Sequence, residues 1–348
     1  MRNKLLRPLA AVIGAASLLS HGYAIAQDKD SDIRINNPPQ VAIDHVTIPN
    51  YPVYEGDFPS TVRITKHYTD RVRGSKLAST CTGTVITNLH VMTAAHCEGV
   101  DETKYVLDGY MVHYGSVNVD AQSFMRVHST MVPSSYRGQG DQANDIAVYE
   151  LTEALNSASV IPVTLASQST LRNAQNNRSV ESILTGYGYF SLLSNAVESD
   201  PVCGNIQQRE VHSSPSRLNA ATLQLANAGL STNPIVTTNP RCQAPVGGCF
   251  GDSGGPLYAK GMYRPGDRRD LIQTGVVSGA SYRTAAEEMN PSALRWDTSQ
   301  DIICFLDTAE TAYSNVASQR SFIEEAVALS PNPAVTDLCF DNGAGGCE

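Results

Sequence analysis

Positive charge is scarce in this sequence: 25 lysines and arginines stand against 34 aspartates and glutamates, for a net charge of −9. A nucleic-acid binder needs a basic face to meet phosphates, so no nucleic-acid partner is expected. Charged residues of both signs make up only 17% of the 348, beside 41% hydrophobic residues. That balance excludes a disordered chain, because burial can offset the entropy of ordering. No CxxC pair occurs, and no histidine sits at zinc-ligand spacing beside the cysteines, so neither a metal nor another cofactor is expected. Internal repeats and coiled-coil heptads are also missing. After the first two dozen residues no apolar run is long enough to cross a bilayer, and the mature chain should carry no stable membrane span.

What is present begins with an export signal. Arg2, Lys4 and Arg7 precede an apolar stretch from Leu9 to Leu19, and Ala24-Ile25-Ala26 supplies a small-x-small cleavage site. Residues 1–26 therefore read as a signal peptide and the protein as secreted, extracellular or periplasmic in transit. Its removal takes three basic and no acidic side chains, leaving −12. All eight cysteines follow it, which in an exported chain allows up to four disulfides. Residues 27–52, with Pro38, Pro39, Pro49 and Pro52, read as a pro-segment or N-terminal arm.

From 53 onward, short β-prone runs alternate with Gly/Ser/Asn/Asp turns, as at Ser60–Thr65, Val91–Ala94, Asp145–Leu151, Leu271–Val277 and Ala312–Val316. Such spacing predicts an all-β sandwich or barrel. The stretch Ser318–Leu329 differs: Phe322, Ile323, Ala326 and Val327 form one helical stripe, with Ser318 as N-cap. Residues 329–348 form a tail, a disulfide-pinned loose end or a sorting remnant.

The segment with most chemical content is Gly251-Asp252-Ser253-Gly254-Gly255-Pro256, after Cys249. A serine hydroxyl is a weak nucleophile and needs a neighbouring base. A developing oxyanion needs hydrogen-bond donors, which unobstructed backbone N–H groups can supply. Alone, such a turn is equally a surface loop. Upstream, however, stands His96 between small alanines and Cys97, at the end of two strand-like runs. Between the two segments Asp145 opens an apolar run, where a buried carboxylate could hold the second imidazole N–H.

These motifs resemble the chymotrypsin/trypsin-like serine proteases, over residues 53–328. They are Thr93–Cys97 (TAAHC), Asp145–Leu151 (DIAVYEL), Gly186-Tyr187-Gly188, Cys249–Leu257 (CFGDSGGPL), Val277-Ser278-Gly279 and Tyr313–Val316, in the family's order. The resemblance implies two six-stranded antiparallel β-barrels and a C-terminal helix, in an exported, bacterial member. It implies His96 as general base and acid, Asp145 as its orienter and Ser253 as nucleophile. The Gly251 and Ser253 N–H groups become the oxyanion hole, and Ser278 a support of Asp145. The remaining histidines (His45, His67, His90, His113, His128 and His212) read as surface or satisfied core positions. The implied disulfides are Cys81–Cys97 and Cys249–Cys304, which leaves Cys203–Cys242 and Cys339–Cys347. A calcium loop is not expected, since Ser116 stands where the first carboxylate would be.

The specificity pocket implied by the resemblance has Gly247 and Gly248 at its floor and Ala280 and Thr311 on its walls. With no acid at the floor, small or medium uncharged residues are expected before the scissile bond. Basic specificity would need Glu287, Glu288 or Glu310 to reach in. Activation in the family pairs a new apolar N-terminus with the acid before the nucleophile, here Asp252. An activating protease would cut at Arg34–Ile35; Val53-Tyr54-Glu55-Gly56 is better placed by distance but follows no basic residue.

The expected partners are protein or peptide substrates. A non-catalytic binding protein on the same scaffold is the alternative, although such proteins usually lose a triad member. An esterase of the α/β-hydrolase type would match Gly-x-Ser-x-Gly. It requires the acid and histidine after the serine, whereas both precede it here.

Overall fold

The computed structural model describes residues 53–347 except 139, 157, 159, 178–179, 189, 201–203, 213–215, 231–233, 239–246, 262–270, 283–308 and 331–337. Only the backbone path is described for 190–200, 204–212, 238, 280–282 and 309–310. The expected signal peptide, pro-segment, Arg34–Ile35 site, Cys203–Cys242 pair, Cys304, Glu287 and Glu288 lie outside the described residues, as do the side chains of Ala280 and Glu310.

Six strands close the first barrel: β1 (Thr61–Asp70), β2 (Lys76–Thr87), β3 (His90–Thr93), β4 (Tyr105–Tyr114), β5 (Ser123–Met131) and β6 (Ala147–Leu151). Their spatial order is β1-β2-β3-β6-β5-β4, so the ring leaves no open edge. Alternation along β1 sends Val62, Ile64 and Tyr68 into the core. The β1–β2 turn is closed by Asp70, whose Oδ1 accepts the N–H groups of Val72 and Arg73 at 2.8 Å each.

The chain then runs through β7 (Thr164–Leu165), α1 (Gln168–Asn176), β8 (Glu181–Gly186), the hairpin β9 (Phe190–Asp200) and β10 (Gly204–His212), and on to β11 (Asn219–Asn227). The strands β12 (Ile235–Thr238), β13 (Pro256–Lys260), β14 (Leu271–Tyr282) and β15 (Ala309–Asn315) follow. The ring β13-β8-β11-β12-β15-β14 closes through a β13–β14 pairing, making a second six-stranded antiparallel barrel. The expected pair of barrels and the C-terminal helix, α2 (Arg320–Ala328), are thus present. No helix among the described residues is long and apolar enough to cross a membrane.

Three local expectations need correction. Ser318 does not cap α2: a 3-10 turn, Val316–Gln319, precedes the helix, and Asn315 caps that turn by accepting the Ser318 N–H at 3.2 Å. The polar helix α1 was not expected, because only Thr170, Leu171 and Ala174 of its residues are buried. Nor is the tail a loose end: β16 (Cys339–Phe340) adds to β7 in parallel and buries Phe340.

The barrels meet through small polar groups around Tyr258, whose hydroxyl lies 3.0 Å from Ser60 Oγ and 2.9 Å from Thr61 Oγ1. Its ring stacks on Phe58 with centroids 5.8 Å apart. Three histidines of the first barrel are removed from solvent, His90 fully and His67 and His113 in part. His67 and His113 each place Nε2 2.9 Å from Thr65 Oγ1, and His90 Nδ1 lies 2.8 Å from Thr87 Oγ1. Burial lowers the pKa of all three, that of His113 to about 4, with Arg63 adding to the effect on His67 and His113.

A histidine lowered in the fold binds fewer protons there than in the unfolded chain. Its stabilising contribution is therefore complete above pH 6.5 and is lost as pH falls through that value. For His113, a drop from 6.5 to about 4 is worth up to about 3 kcal/mol. Urea midpoints should fall steeply between pH 7 and 4.5, and His113→Asn should flatten part of that fall. A midpoint unchanged over this range would refute the assignment.

Candidate active site

β3 and β6 are antiparallel neighbours with Thr93 opposite Ala147. Carried three residues beyond that last pair, the register brings the 3-10 turn Ala95–Cys97 against Asn144 and Asp145. Small alanines and a bridge from Cys97 to Cys81 on β2 fix the turn. His96 and Asp145 meet there with side chains only 6% and 5% exposed.

Three donors converge on the Asp145 carboxylate. Its Oδ1 accepts the His96 backbone N–H at 2.9 Å. Its Oδ2 accepts His96 Nδ1–H at 2.6 Å and the Ser278 hydroxyl at 2.6 Å. A carboxylate can only accept, so Nδ1 carries the proton and Nε2 is the basic nitrogen of the neutral ring. The negative charge is felt nearby: the Tyr136 hydroxyl is pushed up chiefly by burial, with Asp145 and Asp141 adding to it.

Ser253 lies in a turn that glycine makes feasible, with Gly251 at φ +96° and Gly254 at φ +80°. The turn is stitched internally by Asp252 N–H to Cys249 O at 3.0 Å and Gly255 N–H to Asp252 O at 2.7 Å. It is clipped to β14 by Gly254 N–H to Val277 O at 2.8 Å. The first barrel holds it too: Ser253 O accepts the Thr82 N–H at 2.8 Å, and the Thr82 hydroxyl donates to Gly251 O at 2.8 Å. Cys97 Sγ, one residue from His96, lies 3.7 Å from Ser253 O. The serine turn and the histidine turn are therefore fastened to the same stretch of β2. Thr82 was not singled out from the sequence, although its place directly after Cys81 marks it.

Asp252 is fully buried, with Oδ1 accepting Gly188 N–H at 2.8 Å and Oδ2 accepting Cys249 N–H at 3.1 Å. Behind it, Gly247 and Gly248 are buried, and Gly248 N–H donates to Thr311 Oγ1 at 3.0 Å. Thr311 pairs with Ala280 across β14 and β15. These four residues, named from the sequence as floor and walls, thus belong to one neighbourhood. Cys249 is disulfide-bonded, and Cys339 is joined to Cys347.

Another residue not foreseen is Ser314, whose Oγ lies 2.7 Å from both Asp145 O and Gln142 O. It lies within the Tyr313–Val316 motif, but nothing in the sequence marked this role. Ser116 also has an unforeseen partner: its hydroxyl donates to Glu55 at 2.7 Å, and the same carboxylate accepts the Val117 N–H at 3.2 Å.

The family model described as Trypsin matches residues 48–295. Chymotrypsin-2 of Vespa crabro is 27% identical over 197 residues, 56% of this chain and 76% of that protein. Serine protease SP24D of Anopheles gambiae is 28% identical over 204 residues, 58% of this chain and 63% of its own length. Chymotrypsin-like elastase family member 1 of Bos taurus is 30% identical over 189 residues, 53% and 64% respectively. The chain thus spans less than two thirds of the latter two.

Proposed function

The chain belongs to the trypsin family, the chymotrypsin-like serine endopeptidases, and from that premise we propose a secreted enzyme that cleaves protein substrates through an acyl-enzyme on Ser253. His96 Nε2 takes the Ser253 proton as Oγ attacks the scissile carbonyl, and Asp145 steadies the imidazolium that forms. The N–H groups of Gly251 and Ser253 receive the oxyanion. His96 then passes its proton to the leaving amine. A water repeats the sequence, releasing the acyl group as a carboxylic acid and restoring Ser253. The supporting observation is the buried carboxylate 2.6 Å from Nδ1 of His96, whose turn is fastened to the same strand, β2, as the serine turn.

A fluorophosphonate should label Ser253 in processed enzyme, and Ser253→Ala or His96→Ala should abolish the label. Folded, processed protein that takes no label would overturn the reading in favour of a binding protein on this scaffold.

The pocket reading goes further. With its hydroxyl engaged by Gly248, the Thr311 methyl group narrows the slot opposite Ala280, favouring small or medium uncharged residues before the scissile bond. Peptide anilides ending in Ala or Val should be cleaved, and those ending in Arg should not. Thr311→Gly should raise kcat/KM for Leu- or Phe-ending substrates relative to Ala by about tenfold, the scale of a pocket change of 1–3 kcal/mol. Faster cleavage after Arg would instead assign the specificity to Glu287, Glu288 or Glu310.

Activation by a cut at Arg34–Ile35, freeing an ammonium for Asp252, belongs to the same reading. Val53 is a poor rival: it is buried, Arg217 donates to its carbonyl, and Glu55 is engaged by Ser116 and Val117. N-terminal sequencing of active enzyme should begin at Ile35; an active chain beginning at Gln27 would remove this assignment.

A further inference from the structure

The loop before Asp145 is held from a direction the catalytic reading does not use. Gln319, in the 3-10 turn ahead of α2, donates from Nε2 to Ala143 O at 2.9 Å and to Asn144 Oδ1 at 3.2 Å. Asn144 Nδ2 in turn donates to the Asp141 carboxylate at 3.0 and 3.1 Å. Asn144 O also accepts the Ile146 N–H at 2.9 Å, across Asp145 itself. The grip of Gln319 thus falls on the two residues immediately before the carboxylate that orients His96.

The next residue, Arg320, lies with its guanidinium carbon 4.5 Å from the centre of the Phe340 ring. Phe340 is buried to 1% exposure, in one cluster with Ile323 and Val327 of α2 and Leu165 of β7. The segment carrying it is firmly seated. Asp341 N–H donates to Leu165 O at 2.8 Å, and the buried Asp341 carboxylate accepts the Thr170 hydroxyl at 2.5 Å. The Cys339–Cys347 bridge closes the segment on itself. Arg320 Nε is paired with Glu324 of α2 at 2.7 Å, and the cation–π contact with the buried Phe340 ring adds to that hold on Arg320 and on the turn that contains Gln319.

We propose that Gln319 is a positioning residue for the Asp145 loop and that the C-terminal segment 338–347 acts as the clamp that keeps it there. This rests on the catalytic reading of His96, Asp145 and Ser253. A tail serving stability alone would touch α2 and the second barrel without any consequence for the aspartate. Here one contiguous series of contacts runs from Phe340 through Arg320 and Gln319 to the Ala143 carbonyl and the Asn144 side chain.

The test uses processed full-length enzyme, counted by fluorophosphonate labelling, with kcat, KM and the pH profile on a peptide anilide. Couplings of this kind change rates by about 2- to 30-fold. Gln319→Ala should lower kcat per labelled site about tenfold with KM changed less than twofold. A loosened carboxylate stabilises the imidazolium less, so the acid limb of the profile should move to lower pH. Gln319→Glu keeps the shape but cannot donate and adds a negative charge near the imidazolium. It should lower kcat as much, while the acid limb moves to higher pH. Phe340→Ala should follow Gln319→Ala in both respects at about threefold. If Phe340→Ala fails to fold, Cys339→Ser with Cys347→Ser stands in for it.

Wild-type kcat and an unmoved acid limb in all these variants, whatever their Tm, would overturn the clamp. Failure of the wild-type enzyme to label at Ser253 would instead overturn the catalytic reading on which it rests.

Discussion

His96→Ala and Ser253→Ala should each cut kcat by about 10⁴- to 10⁶-fold, and the double variant should be no slower than the worse single. The two groups act as one unit: without the imidazole the alcohol keeps its proton, and without the alcohol the imidazole has nothing to activate. Losses that multiplied in the double variant would mean that the two residues act independently. Asp145→Asn belongs to the same series. The carboxylate receives the His96 N–H on Oδ1, and both His96 Nδ1–H and the Ser278 hydroxyl on Oδ2. An amide has one accepting oxygen, so at least one of those donors must face an NH2 group. If the displaced donor is Nδ1–H, the ring turns to the wrong tautomer and Nε2 ceases to be the base. A loss of about 10⁴ in kcat is expected. Rates on a peptide anilide, from preparations with no labelling-competent contaminant, measure all four variants.

The sequence was most legible where chemistry restricts residue choice. His96 needs small neighbours, Ser253 needs glycines at positive φ, and Asp145 must open a strand paired with the one that leads to His96. Each requirement leaves a local signature, and the structure brings the Asp145 carboxylate to the imidazole at 2.6 Å. Barrel architecture was legible for a related reason, since alternating runs such as the one ending in Val62 and Ile64 report which face is buried. Distant pairings left no such trace. β16 contributes two residues to a parallel pairing with β7, a contact between positions 164–165 and 339–340 that no local pattern encodes. Helix α1 was hidden because its apolar stripe is only Leu171 and Ala174, and the Ser167–Thr170 capping box and Asp341 bound to Thr170 support the rest. The misplaced cap of α2 has a similar origin. Ser318 and Asn315 are both capable acceptors, but the inserted 3-10 turn, which sequence does not announce, takes Asn315 as its own cap and leaves α2 to start after Gln319 without a side-chain cap.

Gly254→Ala should be the most damaging of the conservative substitutions, because it strikes the junction between the barrels. A methyl group built on Gly254 would lie 2.0 Å from Thr93 Oγ1, 2.4 Å from Thr82 O and 2.8 Å from Ala94 N. Two of those three atoms are backbone, and the third donates to Thr82 O at 2.8 Å, so none can step aside cheaply. The residue also sits at φ +80°, where a side chain costs about 1–2 kcal/mol. Overpacking adds roughly 1–3 kcal/mol. Together these approach the lower end of the 5–15 kcal/mol that typically holds a domain folded.

Gly56 supplies the control, since it has φ +86° and nothing within 4 Å of the added methyl. Gly56→Ala should show only the backbone cost in a urea melt. Gly254→Ala should lose several kcal/mol in the same measurement, and any folded fraction should react with a fluorophosphonate at least a hundredfold more slowly. The displaced turn takes with it the Ser253 carbonyl bound to Thr82 and the glycine N–H bound to Val277. Equal melts for the two variants, with undiminished labelling, would mean that the serine turn is not pressed against the first barrel and that nothing in this junction sets the nucleophile.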